Sequence, residues 1–257
     1  MSSRNERRRR EREERAQARA ESRRAQRVIQ ARQARRKRLL TILGSIVGGA
    51  VLIVLLVILF TREDEGSEAD APVVSAPPPA IEVETEGRFK GDPNAPVTVV
   101  EFGDFQCPGC GQFARVVEPQ LVRDFVSTGQ VYFEFRHYAF LGPESREAAE
   151  ASWCADDQGL FWEMHDALFY NQSRENQGAF SRGRLNRIAE TVAGLDMEAW
   201  SQCMDDNVHE DDVVEMSRQA QQNGVQGTPS FLVNGQLMFG PSYEELSQRI
   251  QEALAES

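Results

Sequence analysis

"VTVVEFGDFQCPGCGQFARVVEPQLV", residues 97–122, places two cysteines three residues apart directly after a run of β-branched and aromatic residues. The apolar run from Val97 to Phe105 predicts a strand buried on both faces, as in a parallel or mixed sheet. Phe113, Val116, Val117, Leu121 and Phe125 then recur at helical spacing, with Pro119 an expected kink and Gly129 a stop. "VYFEFRHYAF", Val131 to Phe140, is the next strand, so the cysteines sit at the strand-to-helix turn of a βαβ unit.

Further along, the pattern is helical from Ser145 to about Gln222, in four segments with little strand material between them. "GVQGTPSFLVNGQLMFGPSYEELSQRIQEALAES" closes the chain as loop, strand, Asn234-Gly235 turn, strand and amphipathic helix. The element order is β-α-β, a helical insertion at about 144–222, then β-β-α.

The position of Cys107 and Cys110 has chemical meaning. A cysteine at the start of a helix faces unpaired backbone N–H groups and the positive end of the helix dipole, which favour the thiolate. Only the thiolate attacks a disulfide, and a low pKa also makes a good leaving group. Cys110 lies one turn on, close enough to close a disulfide and buried enough to act as the resolving thiol. Pro108 suits a first helical turn, where its missing N–H costs nothing. A structural zinc site needs two close ligand pairs, but Cys154 and Cys203 are single and far apart. A purely structural Cys107–Cys110 bond closes too short a loop to constrain the chain.

Taken together, "GDPNAPVTVVEFGDFQCPGC", "WCADDQGLFWEMHDALF" and "GVQGTPSFLVNGQ" resemble the DsbA-like branch of the thioredoxin superfamily, in the same order and over most of the chain beyond Gly91. The resemblance implies an α/β thioredoxin fold with a helical insertion and thiol–disulfide exchange with no cofactor beyond the cysteines. It implies that Pro229 is cis after Thr228, opposite the cysteines, where the loop leaves backbone groups free for an extended substrate. Glu101 matches the family's buried carboxylate, able to relay a proton for Cys110. A solvent-facing glutamate and a trans proline are the plain alternatives. The chain departs from strongly oxidising members at Pro108-Gly109, where those have histidine beside the second cysteine. Losing that donor implies a weaker oxidant.

Cys154 and Cys203 fall in the insertion. An inter-helix disulfide is the leading reading for an oxidising compartment; two buried thiols or a second redox pair are the others. His137, His165 and His209 have no companions at ligand spacing. Trp153, Phe161, Trp162, Phe169 and Trp200 read as core of the insertion.

The N-terminal part has a different character. Residues 1–38 carry 16 Lys+Arg against 5 Asp+Glu, so the net charge of -11 conceals a net of -22 from Leu39 onward. Leu39 to Phe60 is 22 residues without a charge, long enough as a helix to cross a hydrocarbon core of about 30 Å. A cleaved signal peptide is the rival, against which stand the long basic segment before it and the length of the apolar run. Basic residues before the span and acidic ones after it predict a cytoplasmic N-terminus and an extracytoplasmic C-terminal part. Residues 1–38 then form a basic tail that sets topology; without aromatic residues for base stacking it does not suggest nucleic-acid binding. Residues 61–82 form an acidic, proline-rich linker and 83–257 the DsbA-like domain.

The functional expectation is a membrane-anchored oxidase of substrate protein thiols, reoxidised by a DsbB-like or vitamin K epoxide reductase-like membrane protein. A reductase or isomerase, and a redox-inactive binding module or chaperone, are the alternatives.

Overall fold

The computed structural model describes residues 68–257. The expected basic tail and membrane span, residues 1–38 and 39–60, lie outside them. Among the described residues no helix is long and apolar enough to cross a membrane.

One mixed six-stranded sheet forms the frame, in the order β1-β2-β4-β3-β5-β6. The strands are β1 (Thr85–Glu86), β2 (Phe89–Lys90), β3 (Val97–Gly103), β4 (Val131–His137), β5 (Ser230–Val233) and β6 (Gln236–Phe239). The central strands β3 and β4 run parallel, from Val97 opposite Val131 to Gly103 opposite His137, and β5 pairs antiparallel on the other side of β3. The two-residue strands β1 and β2 were not anticipated, because two residues are too few for any alternation to show.

Between β3 and β4 the chain is helical from Pro108 to Val126. α1 (Pro108–Gln112) and α2 (Glu118–Leu121) are each followed by a wider π-helical turn, Phe113–Val117 and Val122–Val126. Pro119 has no N–H to give the preceding turn, and the wide turns on either side of it absorb that loss. The insertion follows as α3 (Pro143–Asp156), α4 (Phe161–Tyr170), α5 (Arg182–Ala189), α6 (Met197–Asp205) and α7 (Glu210–Gln222). Asn234 and Gly235 both have positive φ, as the β5–β6 hairpin turn requires. α8 (Tyr243–Glu256) opens with a capping box in which Ser242 and Glu245 each accept the other's backbone N–H.

Strand alternation divides β3 between two cores. Val97 and Val99 join Phe113, Leu121, Phe133, Phe231, Leu246 and Ile250 in the main core, which continues into the insertion through Phe161, Leu168 and Trp200. Val100 and Phe102 face a smaller cluster with Tyr138, Ala220 and Val225. Each fully buried large side chain contributes about 1.5 to 3 kcal/mol of transfer free energy. By parity Glu101 points to the side of Val97 and Val99, a carboxyl within the main core. Trp153 differs from the other insertion aromatics: it is only partly buried and stacks on His209.

The insertion is cross-linked by a Cys154–Cys203 disulfide between α3 and α6. The linker also differs from its reading as a free tether. The Glu68 N–H donates to Gln177 O, Arg187 donates to Ala69 O, and Val74 is paired through both its N–H and its carbonyl with Asn171. The expected boundary at residue 82 therefore falls inside a segment packed on the domain.

Candidate active site at the end of the central strands

The parallel strands β3 and β4 end at the same rim, and antiparallel β5 begins there, so this rim gathers three separate stretches of chain. Cys107 is the N-cap of α1, with Pro108 in the first turn, and its carbonyl accepts the N–H of Gly111 at 3.1 Å. Thr228-Pro229, immediately before β5, is a cis peptide. The two meet: Cys107 Sγ lies 3.2 Å from Thr228 O, to which the thiol donates. The Thr228 hydroxyl is buried without a hydrogen-bond partner. Gly109 explains itself by space, since a Cβ there would sit 2.9 Å from Cδ of Pro229 and 3.7 Å from Cys107 Sγ.

The two thiols have opposite acid strengths. The Cys107 pKa is lowered to about 6, chiefly by a hydrogen bond from the Cys110 thiol. Burial opposes this, while the backbone N–H groups of Cys110 and Gly109 assist it. Cys110, fully buried, is held well above the ordinary thiol range by burial first, then by its bond to Cys107 and by the nearby Glu101 carboxyl.

Beneath Cys110 lies a buried polar group that spans three elements. Glu101 has no solvent exposure and neither carboxyl oxygen has a partner. Its pKa is raised well above the usual range, by burial and then by Glu118 and Cys107, with Lys90 acting against them. Lys90 of β2 pairs with Glu118 of α2 at 2.5 Å, and its ammonium stands 3.8 Å from the centre of the Trp162 ring. The ion pair occupies Lys90, and burial favours the protonated form of Glu101.

The loop before Cys107 is fixed by side chains from far along the chain. The Asp104 carboxylate accepts the N–H groups of Gln106, Phe140 and Leu141 at 2.9, 3.0 and 3.1 Å. The Gln106 side chain accepts the Asn176 N–H at 2.6 Å and donates to Ser145 Oγ at 2.9 Å. The Gln172 amide donates to two carbonyls, Phe105 O at 2.7 Å and Cys107 O at 2.8 Å. Gly111 makes room for it, for a Cβ there would be 2.0 Å from Gln172 Oε1.

The structure therefore brings Glu101, Cys107, Pro108, Gly109, Cys110, Thr228 and Pro229 to one place, and leaves Cys154 and Cys203 apart as a cross-link. Lys90, Glu118, Asp104 and Gln172 were missed. Nothing in the sequence joins Lys90 to Glu118, 28 residues on, or Gln172 to Cys107, 65 residues back. Among the described residues, Asp157, Cys203 and His209 stand close enough to share a metal ion. The Cys203 sulfur, however, is already spent in the disulfide.

A thiol ionising near pH 6 over a resolving thiol that keeps its proton, facing a cis-proline at the rim of a mixed sheet, is the arrangement of a thiol–disulfide oxidoreductase. The chain belongs to the thioredoxin family, which its residues 84–252 match. It is 33% identical over 181 residues to disulfide bond formation protein D of Bacillus subtilis, an alignment covering 67% of this chain and 81% of that one. The crystal structure of oxidised BdbD from Bacillus subtilis superposes with a TM-score of 0.62 at 31% identity, over 71% of this chain and 98% of that one. The structure of Chlamydia trachomatis DsbA, at 21% identity, shares the fold with a TM-score of 0.60, over 68% of this chain and 95% of that one.

Proposed function

We propose that the chain oxidises pairs of thiols in substrate proteins outside the cytoplasmic membrane, to which residues 39–60 anchor it. The observation that carries this reading is the opposed acid strength of the two cysteines beside Pro229. A substrate thiolate attacks Cys107 Sγ of the Cys107–Cys110 disulfide. The S–S bond breaks and its electron pair leaves on Cys110, which takes a proton from the buried Glu101 acid. The mixed disulfide then has two fates. Attack by Cys110 would return the substrate reduced, but Cys110 holds its proton and attacks slowly. Attack by the substrate's second thiolate on its own sulfur releases oxidised substrate, and the departing Cys107 thiolate is a stable leaving group. The enzyme keeps the two electrons as a dithiol.

Thr228 and Pro229 hold the extended substrate strand beside the reacting sulfur. The electrons pass to a membrane protein of the DsbB or vitamin K epoxide reductase type, and anchoring both partners in one membrane raises their effective concentration. Equilibrating the protein in graded glutathione buffers, with thiol trapping and a Cys107→Ser control, tests the reading. A midpoint above about -180 mV supports an oxidase, and one near about -270 mV makes the chain a reductase instead. A redox transition that survives in the control removes Cys107 from the chemistry.

A further inference from the structure

The loop after α4 touches two parts of the molecule at once. On one side, Gln172 donates to the carbonyls of Phe105 and Cys107, and Asn176 is bonded to Gln106. On the other side lies the segment that precedes the sheet. Asn171, nearly fully buried, accepts the Val74 N–H at 2.9 Å and donates to Val74 O at 2.7 Å, as a neighbouring strand would. Its amide also donates to Ala167 O at 2.8 Å, tying the pair to α4. Immediately after Asn176 the strap is held again, at the backbone level: the Glu68 N–H donates to Gln177 O. Arg184, buried, donates to Asn171 O and Ala179 O at 2.8 Å and to Pro72 O at 3.5 Å.

We infer that Gln172 is a positioning residue for the Cys107 loop, and that the strap of residues 68–74 sets its position by holding Asn171. The inference rests on the reading of Cys107 as the reacting thiol. Gln172 gives a second donor to the first carbonyl of α1, which fixes the peptide plane carrying Cys107 and so the aim of its sulfur at Thr228. Asn171 and Gln172 are adjacent, so a shift of one is passed to the other through a single planar peptide. The strap thus acts on the Cys107 loop at one remove, through Asn171 and Gln172.

The test is the pH dependence of alkylation of Cys107 in the full-length reduced chain, in a cycle of two substitutions. Gln172→Met keeps the length of the side chain and removes both donors. Val74→Pro removes the N–H accepted by Asn171 and keeps the carbonyl that accepts from it, at an exposed position. Cys110 and Glu101, which act on Cys107, are kept in both, as is the Arg115 guanidinium that shares the space above Gly111 with Gln172. Gln172→Met is expected to raise the alkylation midpoint from about 6 by about 0.5 to 1 unit, the equivalent of one ordinary hydrogen bond. Val74→Pro should raise it by less, and should add nothing in the Gln172→Met background.

A purely structural role would lower the melting midpoint without moving the alkylation midpoint. An unmoved midpoint in folded Gln172→Met overturns the role of Gln172. A Val74→Pro effect that is absent, or equally large in both backgrounds, overturns the coupling. Should Gln172→Met not fold, Gln172→Leu takes its place in the same cycle. A wild-type chain whose Cys107 alkylates with an ordinary thiol midpoint overturns the functional reading beneath the inference, and is distinguished by needing no variant.

Discussion

The Glu101 carboxyl and the Cys110 thiol are both sealed from solvent, and the carboxyl adds to the burial that keeps the thiol protonated. Two such acids titrate as a coupled pair, and under the proposed relay Glu101 supplies the proton that the Cys110 sulfur takes as it leaves. Glu101→Gln should therefore slow the release of electrons onto Cys110 at neutral pH, read as the rate of mixed-disulfide formation by stopped flow. An unchanged rate would leave Glu101 without a part in the reaction.

The same substitution carries a stability prediction with a definite sign. The folded-state pKa of Glu101 is raised, so the wild-type carboxyl favours folding below the ordinary carboxylate range and that contribution is lost as pH climbs. Glu101→Gln should accordingly match the wild type near pH 4 and exceed it increasingly toward pH 8. Urea midpoints across that window check the trend, and a gain confined to low pH would contradict it.

Cys107 has the opposite sign. Its folded pKa of about 6 is depressed, so the thiolate's contribution to the reduced form is complete above about 8.5 and disappears as pH falls through 6. The reduced chain should lose stability relative to Cys107→Ser across that interval, on the order of 3 kcal/mol. The oxidised chain, with no thiolate to stabilise, should show no such difference. Paired denaturation curves of both redox forms measure this.

The Cys154–Cys203 disulfide joins residues 49 apart, and the chain-entropy relation assigns such a loop about 4 kcal/mol. Replacing both cysteines by alanine should lower the melting temperature while leaving the glutathione midpoint of Cys107–Cys110 unchanged. A moved midpoint would mean that the two pairs exchange electrons.

How far the sequence revealed this protein depended on the range over which each feature is encoded. β3, its following helix, β4 and the Asn234-Gly235 hairpin follow from local periodicity and turn chemistry, and the structure has them in that order. The cysteine pair is equally local. Glu101 was legible only through resemblance, because a glutamate in an apolar strand is ambiguous until its face is known. The ion pair of Lys90 with Glu118 and the reach of Gln172 to Cys107 join residues that no local pattern connects. The docked strap was obscured by its composition: acidic and proline-rich segments read as solvated, yet here backbone groups of Val74 bind Asn171 and the Val73 side chain packs on the core.

Gly109→Ala offers a direct test of the contact with Pro229. A Cβ at 2.9 Å from the ring forces one of the two loops to move, at a cost of about 1 to 3 kcal/mol. The variant should melt lower and exchange with a peptide substrate more slowly, with the larger effect on KM. A rise in KM absent from Gly109→Ala would show that the Pro229 loop yields freely.

That contact also bears on how the potential of this protein can evolve or be engineered. Exchanging the residues between two such cysteines is ordinarily regarded as a local retuning, in which a histidine added beside the second thiol strengthens the oxidant. Here a Cβ at the second position of the dipeptide would meet Pro229 Cδ at 2.9 Å. Any side chain introduced at position 109 therefore presses on Pro229 as well as on the cysteines, so a change made to retune the pair is also a change in the loop that faces it.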